Sequence, residues 1–225
     1  MNAQIVIDAG PALNFFATNQ QRLLFGVLGS VTAPSTVIDE VRAKSASDAR
    51  FCRAAAVLSK LPEKRLRILP DDETPKLAAA VRRICDTPMA VRLTTAENLG
   101  ETMVVAHAVV AAEKGTDVFV LIDDGGGAHM ATVASRRIDR LCQQGKPFGS
   151  IRLISTCAVL EKAAAAGLVT NRADMRARYE RMRNCDDGLV PIDQTQLLAK
   201  ANWRHLYNAP SAPTMHKDLG RTVAP

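Results

Sequence analysis

Four acids in this 225-residue chain stand where a ligand could use them. Asp8 closes the aliphatic run QIVI, and Asp123 closes VFVLI with Asp124 beside it. Glu40 lies in PSTVIDEV and Glu101 in NLGETMVVAHAVV, each in an early turn of a predicted helix. In open α/β sheets ligands bind beyond the carboxyl ends of the strands, so a lone carboxylate at a strand mouth is placed for binding. A carboxylate buried there is costly unless something pairs with it, and neither Asp8 nor Asp123 has a basic neighbour in sequence. Each acid also has a plain structural use. Asp is a favoured N-cap, and Glu near a helix start complements the macrodipole. Thr36 and Asp39 fit a capping-box spacing, which assigns Asp39 to structure and leaves Glu40 on another face. Glu101 shares a face with Val105 and Ala108, at the edge of a core-facing stripe.

The elements that must position these acids alternate along the chain. Gln4–Ile7, 31–33, Leu66–Leu69, 117–122 and Ile151–Ile154 are short aliphatic runs, read as strands. Helices are predicted from Pro11, from Pro34, and over 48–61, 76–85, 98–114, 128–140 and 156–166, with Gly125–Gly127 as a tight turn. Strands alternating with helices argue for βαβ units, and continuous apolar strands argue for a sheet covered on both faces. The expected fold is α/β, a three-layer α/β/α sandwich with a central, mostly parallel sheet.

Composition narrows the function classes. With 47% hydrophobic and 23% charged residues, the chain reads as an ordinary globular protein able to bury a core. The net charge of +6 suits a polyanion such as RNA or DNA. Five scattered cysteines without a C-x-x-C pair argue against a disulfide framework or zinc site, and for free thiols in a reducing cytosol. No apolar run approaches the roughly 20 residues of a membrane span, and the N-terminus lacks the basic region of a signal peptide. A cytoplasmic protein is expected. The four histidines lack zinc spacing, and His107 reads as half-buried packing on its helix. Ser35 and Ser155 lack a G-x-S-x-G context. DDGGGAH lacks G-x-G-x-x-G and Walker spacing. Asp8-Ala9-Gly10 is not the D-x-D of many Rossmann-like phosphohydrolases. Arg172, Arg176, Arg178, Arg181 and Arg183 form a late basic helix, with Asp174 and Glu180 as partial partners on a solvated face.

Taken in order, the acid-bearing segments resemble the PIN-domain ribonucleases, the family that includes toxins of bacterial toxin–antitoxin pairs. The matching pieces are IVIDAGPAL, APSTVIDEV, NLGETMVVAHA and VLIDDGGGAHMA, followed by IRLISTCAVLEKAAAAGLV. The resemblance covers residues 1–169, read as one PIN-like domain with an inserted helical segment at 43–97. Residues 170–200 would be a helical extension and 201–225 a flexible tail.

The resemblance places the family's catalytic acids at Asp8, Glu40, Glu101 and Asp123. The metal ligands would be Asp8, Glu101 and Asp123, with Asp124 as a further one and Glu40 acting through water. Carboxylates that converge repel one another, and Mg²⁺ or Mn²⁺, hard ions that prefer carboxylate and water oxygens, would relieve that repulsion. The implied activity is metal-dependent endoribonuclease cleavage of RNA by two-metal-ion hydrolysis. The implied partners are RNA, an antitoxin protein and a second copy of the chain. Arg136, Arg137 and Arg140, which follow the strand ending at Asp123, are the candidates to guide RNA. Two departures stand out. Gly10 replaces the Ser or Thr that often orients the first Asp, and GGG follows Asp123 where relatives often carry a polar or basic residue. They keep open an alternative, a degenerate PIN-like module that binds nucleic acid or a partner protein.

Overall fold

In the computed structural model, which describes residues 3–123 and 125–203, the alternation becomes one sheet. The strands β1 Gln4–Ile7, β2 Val31–Pro34, β3 Leu66–Leu69, β4 Val118–Leu121 and β5 Ile151–Ile154 lie in the order β3-β2-β1-β4-β5. Every pairing is parallel, and β1 runs in register with β4 from Gln4↔Val118 to Ile7↔Leu121. Val6, Ile7, Val120 and Leu121 are fully buried, as strands covered on both faces require.

The chain steps outward from β1 through β2 to β3, then returns to the other side of β1 for β4 and β5. The strand order therefore reverses between β1 and β4, and the crevice beyond their carboxyl ends is the expected binding place in such a sheet. Asp8 and Asp123 stand at those two ends.

The helices are α1 Ala9–Ala17, α2 Gln21–Leu28, α3 Ser35–Ser47, α4 Ala54–Leu58, α5 Pro75–Cys85, α6 Met89–Arg92, α7 Leu99–Glu113, α8 Gly125–Gln143, α9 Thr156–Ala165 and α10 Arg172–Arg183. α5, α7 and α8 pack together as one layer, while α1 packs with α2 and α4, and α2 with α9. The result is the expected α/β/α sandwich. α3 touches α1 and α4 on one side and α7 on the other, so it straddles the edge of the sheet.

Local chemistry sets several boundaries. α5 starts at Pro75 behind Thr74, whose hydroxyl accepts the Leu77 amide. The helix expected over 48–61 is broken. Asp48 accepts the Arg50 amide and starts a 3-10 turn, Ala49–Phe51, and Ser45 donates to the Phe51 carbonyl. The tight turn expected at Gly125–Gly127 is instead the first turn of α8.

Residues 43–97 add β3 to the sheet edge as well as helices. Met175, Tyr179 and Met182 of α10 are buried, so the C-terminal extension joins the core. Trp203 is also buried, and its indole N–H donates to the Leu197 carbonyl at 3.0 Å. The first three residues of the predicted tail lie in a 3-10 turn, Lys200–Trp203, and the rest of it lies outside the described residues. Among the described residues no helix is long and apolar enough to cross a membrane.

Candidate functional site

Asp8 follows β1 directly and occupies the N-cap position of α1, but its side chain makes no capping bond. It is 5% exposed. Its Oδ1 is buried and has no hydrogen-bond partner among the described residues. Burial pushes the carboxyl up to about 7; the amides of Ala9 and Gly10 pull it down, while Glu101 and Glu40 raise it further. The capping use allowed by the sequence is thus not the use made of this side chain.

Glu40 lies on α3, on the outer side of the crevice, with much of the residue open to solvent. Its carboxylate nevertheless turns inward. A Cβ at Gly100 would stand 2.6 Å from Glu40 Oε2 and 3.7 Å from Asp8 Oδ1, so both carboxylates face this glycine. Any side chain at position 100 would displace Glu40. Partial burial raises the Glu40 carboxyl, as does Glu101, against a smaller opposing pull from Lys44.

Glu101 follows Gly100 in the first turn of α7 and is half-buried. α8 starts against it. A Cβ at Gly127 would meet Glu101 Cγ at 2.8 Å and Ile122 Cδ1 at 2.3 Å, so the glycine run lets this helix begin hard against the acid. Asp8, Glu40 and Glu101 thus form one mutually repelling group at the crevice.

Asp123 is placed differently. Its Oδ1 accepts the Thr156 amide at 2.8 Å and its Oδ2 the Thr156 hydroxyl. It serves the first turn of α9, the helix beyond the next strand, β5. Burial raises its carboxyl, the Thr156 bonds lower it, and Asp186 raises it again. Asp124 lies outside the described residues. Among the described residues, no three His, Cys, Asp or Glu side chains gather closely enough to grip a metal ion. The oxygen-only donor set and the orphaned Oδ1 of Asp8 are nonetheless the chemistry a hard cation requires.

Three residues of this edge escape the sequence reading. Asp186, from the C-terminal segment, sits beside Asp123 and accepts from Asn14 Nδ2 at 2.7 Å. Asn14 is fully buried, and it is the one polar residue in the apolar run PALNFF, a signal the sequence does contain. Asp71 has no such signal. Its Oδ2 accepts the Thr36 amide at 2.7 Å and both the Ser35 and Thr36 hydroxyls, and its Oδ1 bonds His107 Nε2 at 2.7 Å. Two sequence readings are corrected here. Thr36 and Asp39 do not form a capping box, because Asp71 supplies the cap from outside while Asp39 pairs with Arg42 in solvent. His107 is a hydrogen-bonding residue rather than packing.

The basic candidates fall further away. Arg137 pairs with Glu113 at 3.1 Å, an acid it shares with Arg83, and Arg136 and Arg140 are exposed. Ten residues of α8 separate Gly127 from Arg137, roughly 15 Å of helix. On α10, Arg178 pairs with Asp174, Arg183 with Glu180 and Arg176 with Asp193, as a solvated face would. Comparisons of the chain with family models, with curated proteins and with solved structures each found no match.

Proposed function

We propose that the chain is a metal-dependent endoribonuclease of PIN type, acting at the crevice between β1 and β4. The observation that carries this reading is the Asp8 carboxylate, buried at a switch point with an unpartnered oxygen and two further acids facing it. A fold does not keep such a group for stability, since an unpaired buried acid is costly. Groups of this kind concentrate at functional sites.

Asp8, Glu101 and Asp123 would hold Mg²⁺ or Mn²⁺, with Glu40 acting through water. When bound, such an ion lowers the pKa of an attacking water and stabilises the leaving oxygen of a phosphodiester. Asp8 would enter the site as an anion. Glu40, open to solvent on one side, is placed to orient a water at the mouth of the crevice. Thr156 holds Asp123 by both oxygens and so fixes the direction of its remaining lone pairs. RNA is the proposed substrate, and it carries the negative charge that the chain's net +6 suits. A toxin role with an antitoxin partner and a homodimer follow from the family resemblance, and a cytoplasmic location from the free cysteines.

A second reading is favoured by the bonds to Asp123 and by the absence of a gathered three-acid group among the described residues. Under it the chain is a PIN-like module that binds nucleic acid or a protein without catalysis. Cleavage of a mixed single-stranded RNA separates the two readings, with Mn²⁺, with Mg²⁺ and with EDTA. Metal-dependent cleavage lost in Asp8→Asn and Asp123→Asn is the expected result. No cleavage, together with no metal uptake by the folded protein, would leave the binding module.

A further inference from the structure

We propose that Asp71 is a positioning residue of the carboxylate site, holding α3 and α7 together so that Glu40 stays against Gly100 and Glu101. The proposal rests on the site described above, and it concerns a residue that touches none of the site's acids.

Asp71 follows Pro70 at the end of β3, which is fixed in the sheet by pairing with β2 from Val31↔Leu66 to Pro34↔Leu69. The loop that carries it is therefore anchored. Its two oxygens serve two different helices. Oδ2 takes the first turn of α3 through the Thr36 amide and the Ser35 and Thr36 hydroxyls. Oδ1 takes α7 through His107 Nε2. The Asp71 amide returns a bond to Ser35 Oγ at 3.3 Å. A helix cap alone would need only the first set. The bond to His107 adds a tie between the helix at the sheet edge, α3, and α7 of the α5–α7–α8 layer.

Those two elements carry two of the three facing acids. Glu40 lies four residues after Thr36, one turn along the same face of α3. Glu101 lies on α7, six residues before His107. At the other end of the contact, Glu40 and Val37 press on Gly100, where a Cβ would lie 2.6 and 3.6 Å from them. The helices are therefore pinned at two places, once by close approach at Gly100 and once through Asp71. Glu40, Glu101 and Asp8 repel one another, so nothing within the acid group holds α3 in place. The tie comes from outside the acid group: Val37, Ile38 and Val41 anchor α3 in the core, and Asp71 adds the hydrogen-bonded link from α3 to α7. Sites of this kind depend on supporting residues that keep geometry to within about half an ångström.

The experiment uses the full chain and the variants His107→Ala and His107→Gln. Gln can still donate to Asp71, whereas Ala cannot, and both leave the Asp71 cap on α3 intact. RNA cleavage with Mn²⁺ and crystal structures of both variants are the readouts. The expected result for His107→Ala is a Glu40 carboxylate displaced from Gly100, with kcat lower by ~10-fold or more at little change in KM. His107→Gln is expected to restore both. A Glu40 that stays against Gly100 in His107→Ala, or a loss of kcat that Gln fails to restore, overturns the proposal. If the parent chain cleaves no RNA, the ribonuclease reading fails separately, and the position of Glu40 in the two crystal structures decides the proposal by itself.

Discussion

Asp8 and Asp71 are two carboxylates at the carboxyl ends of strands in one sheet, and the fold treats them in opposite ways. Asp71 receives hydrogen bonds from an amide, two hydroxyls and a histidine. Burial pushes its carboxyl up, but the bonds from His107, Thr36 and Ser35 outweigh that and hold it below the usual range. Asp8 is more completely enclosed, keeps an oxygen without a partner and faces two more acids. Its carboxyl is pushed up to about 7. Asp71 contributes to holding the fold. Asp8 costs the fold stability, and the missing partner is what a ligand would supply. Residue type and strand position do not distinguish the two; the surrounding donors do.

Removing each carboxylate tests that contrast most strongly. Asp8→Asn is expected to lower cleavage by at least ~100-fold, more than the loss typical of a residue supporting a metal ligand. The same change is expected to stabilise the free protein above neutral pH. A group whose folded pKa is raised gives stability that is complete below its unfolded pKa, near 4, and is lost as pH climbs through about 7. Unfolding free energy of the parent chain should therefore decline across that window by up to about 1.4 kcal/mol per pH unit, and the Asn variant should lack the decline. Denaturant melts from pH 4 to pH 8 would show it; parallel curves for the two proteins would break the contrast.

Asp71→Ala has the opposite sign. Loss of a buried acceptor with several charged-group bonds is expected to cost about 2–4 kcal/mol. Because the Asp71 carboxyl is held low, that contribution is present at neutral pH and lost as pH falls below the ordinary carboxylate range. Gly100→Ala sharpens the site side of the comparison. The new methyl would meet Glu40 Oε2, the end of a flexible and exposed side chain that can swing into solvent, so we expect a stability change within about 0.5 kcal/mol but a fall in Mg²⁺ affinity measured by calorimetry.

The smallest effect is expected at Arg136 and Arg140. Both are exposed, in the second half of a helix that begins at the acids. Replacing them with Ala should change RNA affinity by only about twofold each, visible mainly as a shallower salt dependence in a binding titration. A large loss would mean that RNA runs along the whole of α8.

Much of the frame was legible before any coordinates. Gln4–Ile7, Leu66–Leu69 and Ile151–Ile154 are strands with the bounds their aliphatic runs suggest, because a strand covered on both faces must be apolar throughout. The positions of Asp8 and Asp123 at the sheet edge follow from the same runs. What escaped depended on partners far away in sequence. Asp71 lies in a polar loop 36 residues from His107, and Asp186 meets Asn14 across 172 residues. No local pattern encodes such pairs. The GGG run suggested a turn because glycine usually marks one, whereas here a helix needs the missing side chain to pass Glu101.

The most direct measurement is a titration of the Asp8 carboxyl carbon by NMR, without metal and with Mg²⁺, using Asp8→Asn to assign the signal. A midpoint near 7 without metal, moved down by several tenths of a pH unit or more as Mg²⁺ is added, is the predicted result. A midpoint in the ordinary aspartate range, unmoved by Mg²⁺, would mean that Asp8 already has its partner within the fold and would contradict its assignment as the waiting ligand of a metal site.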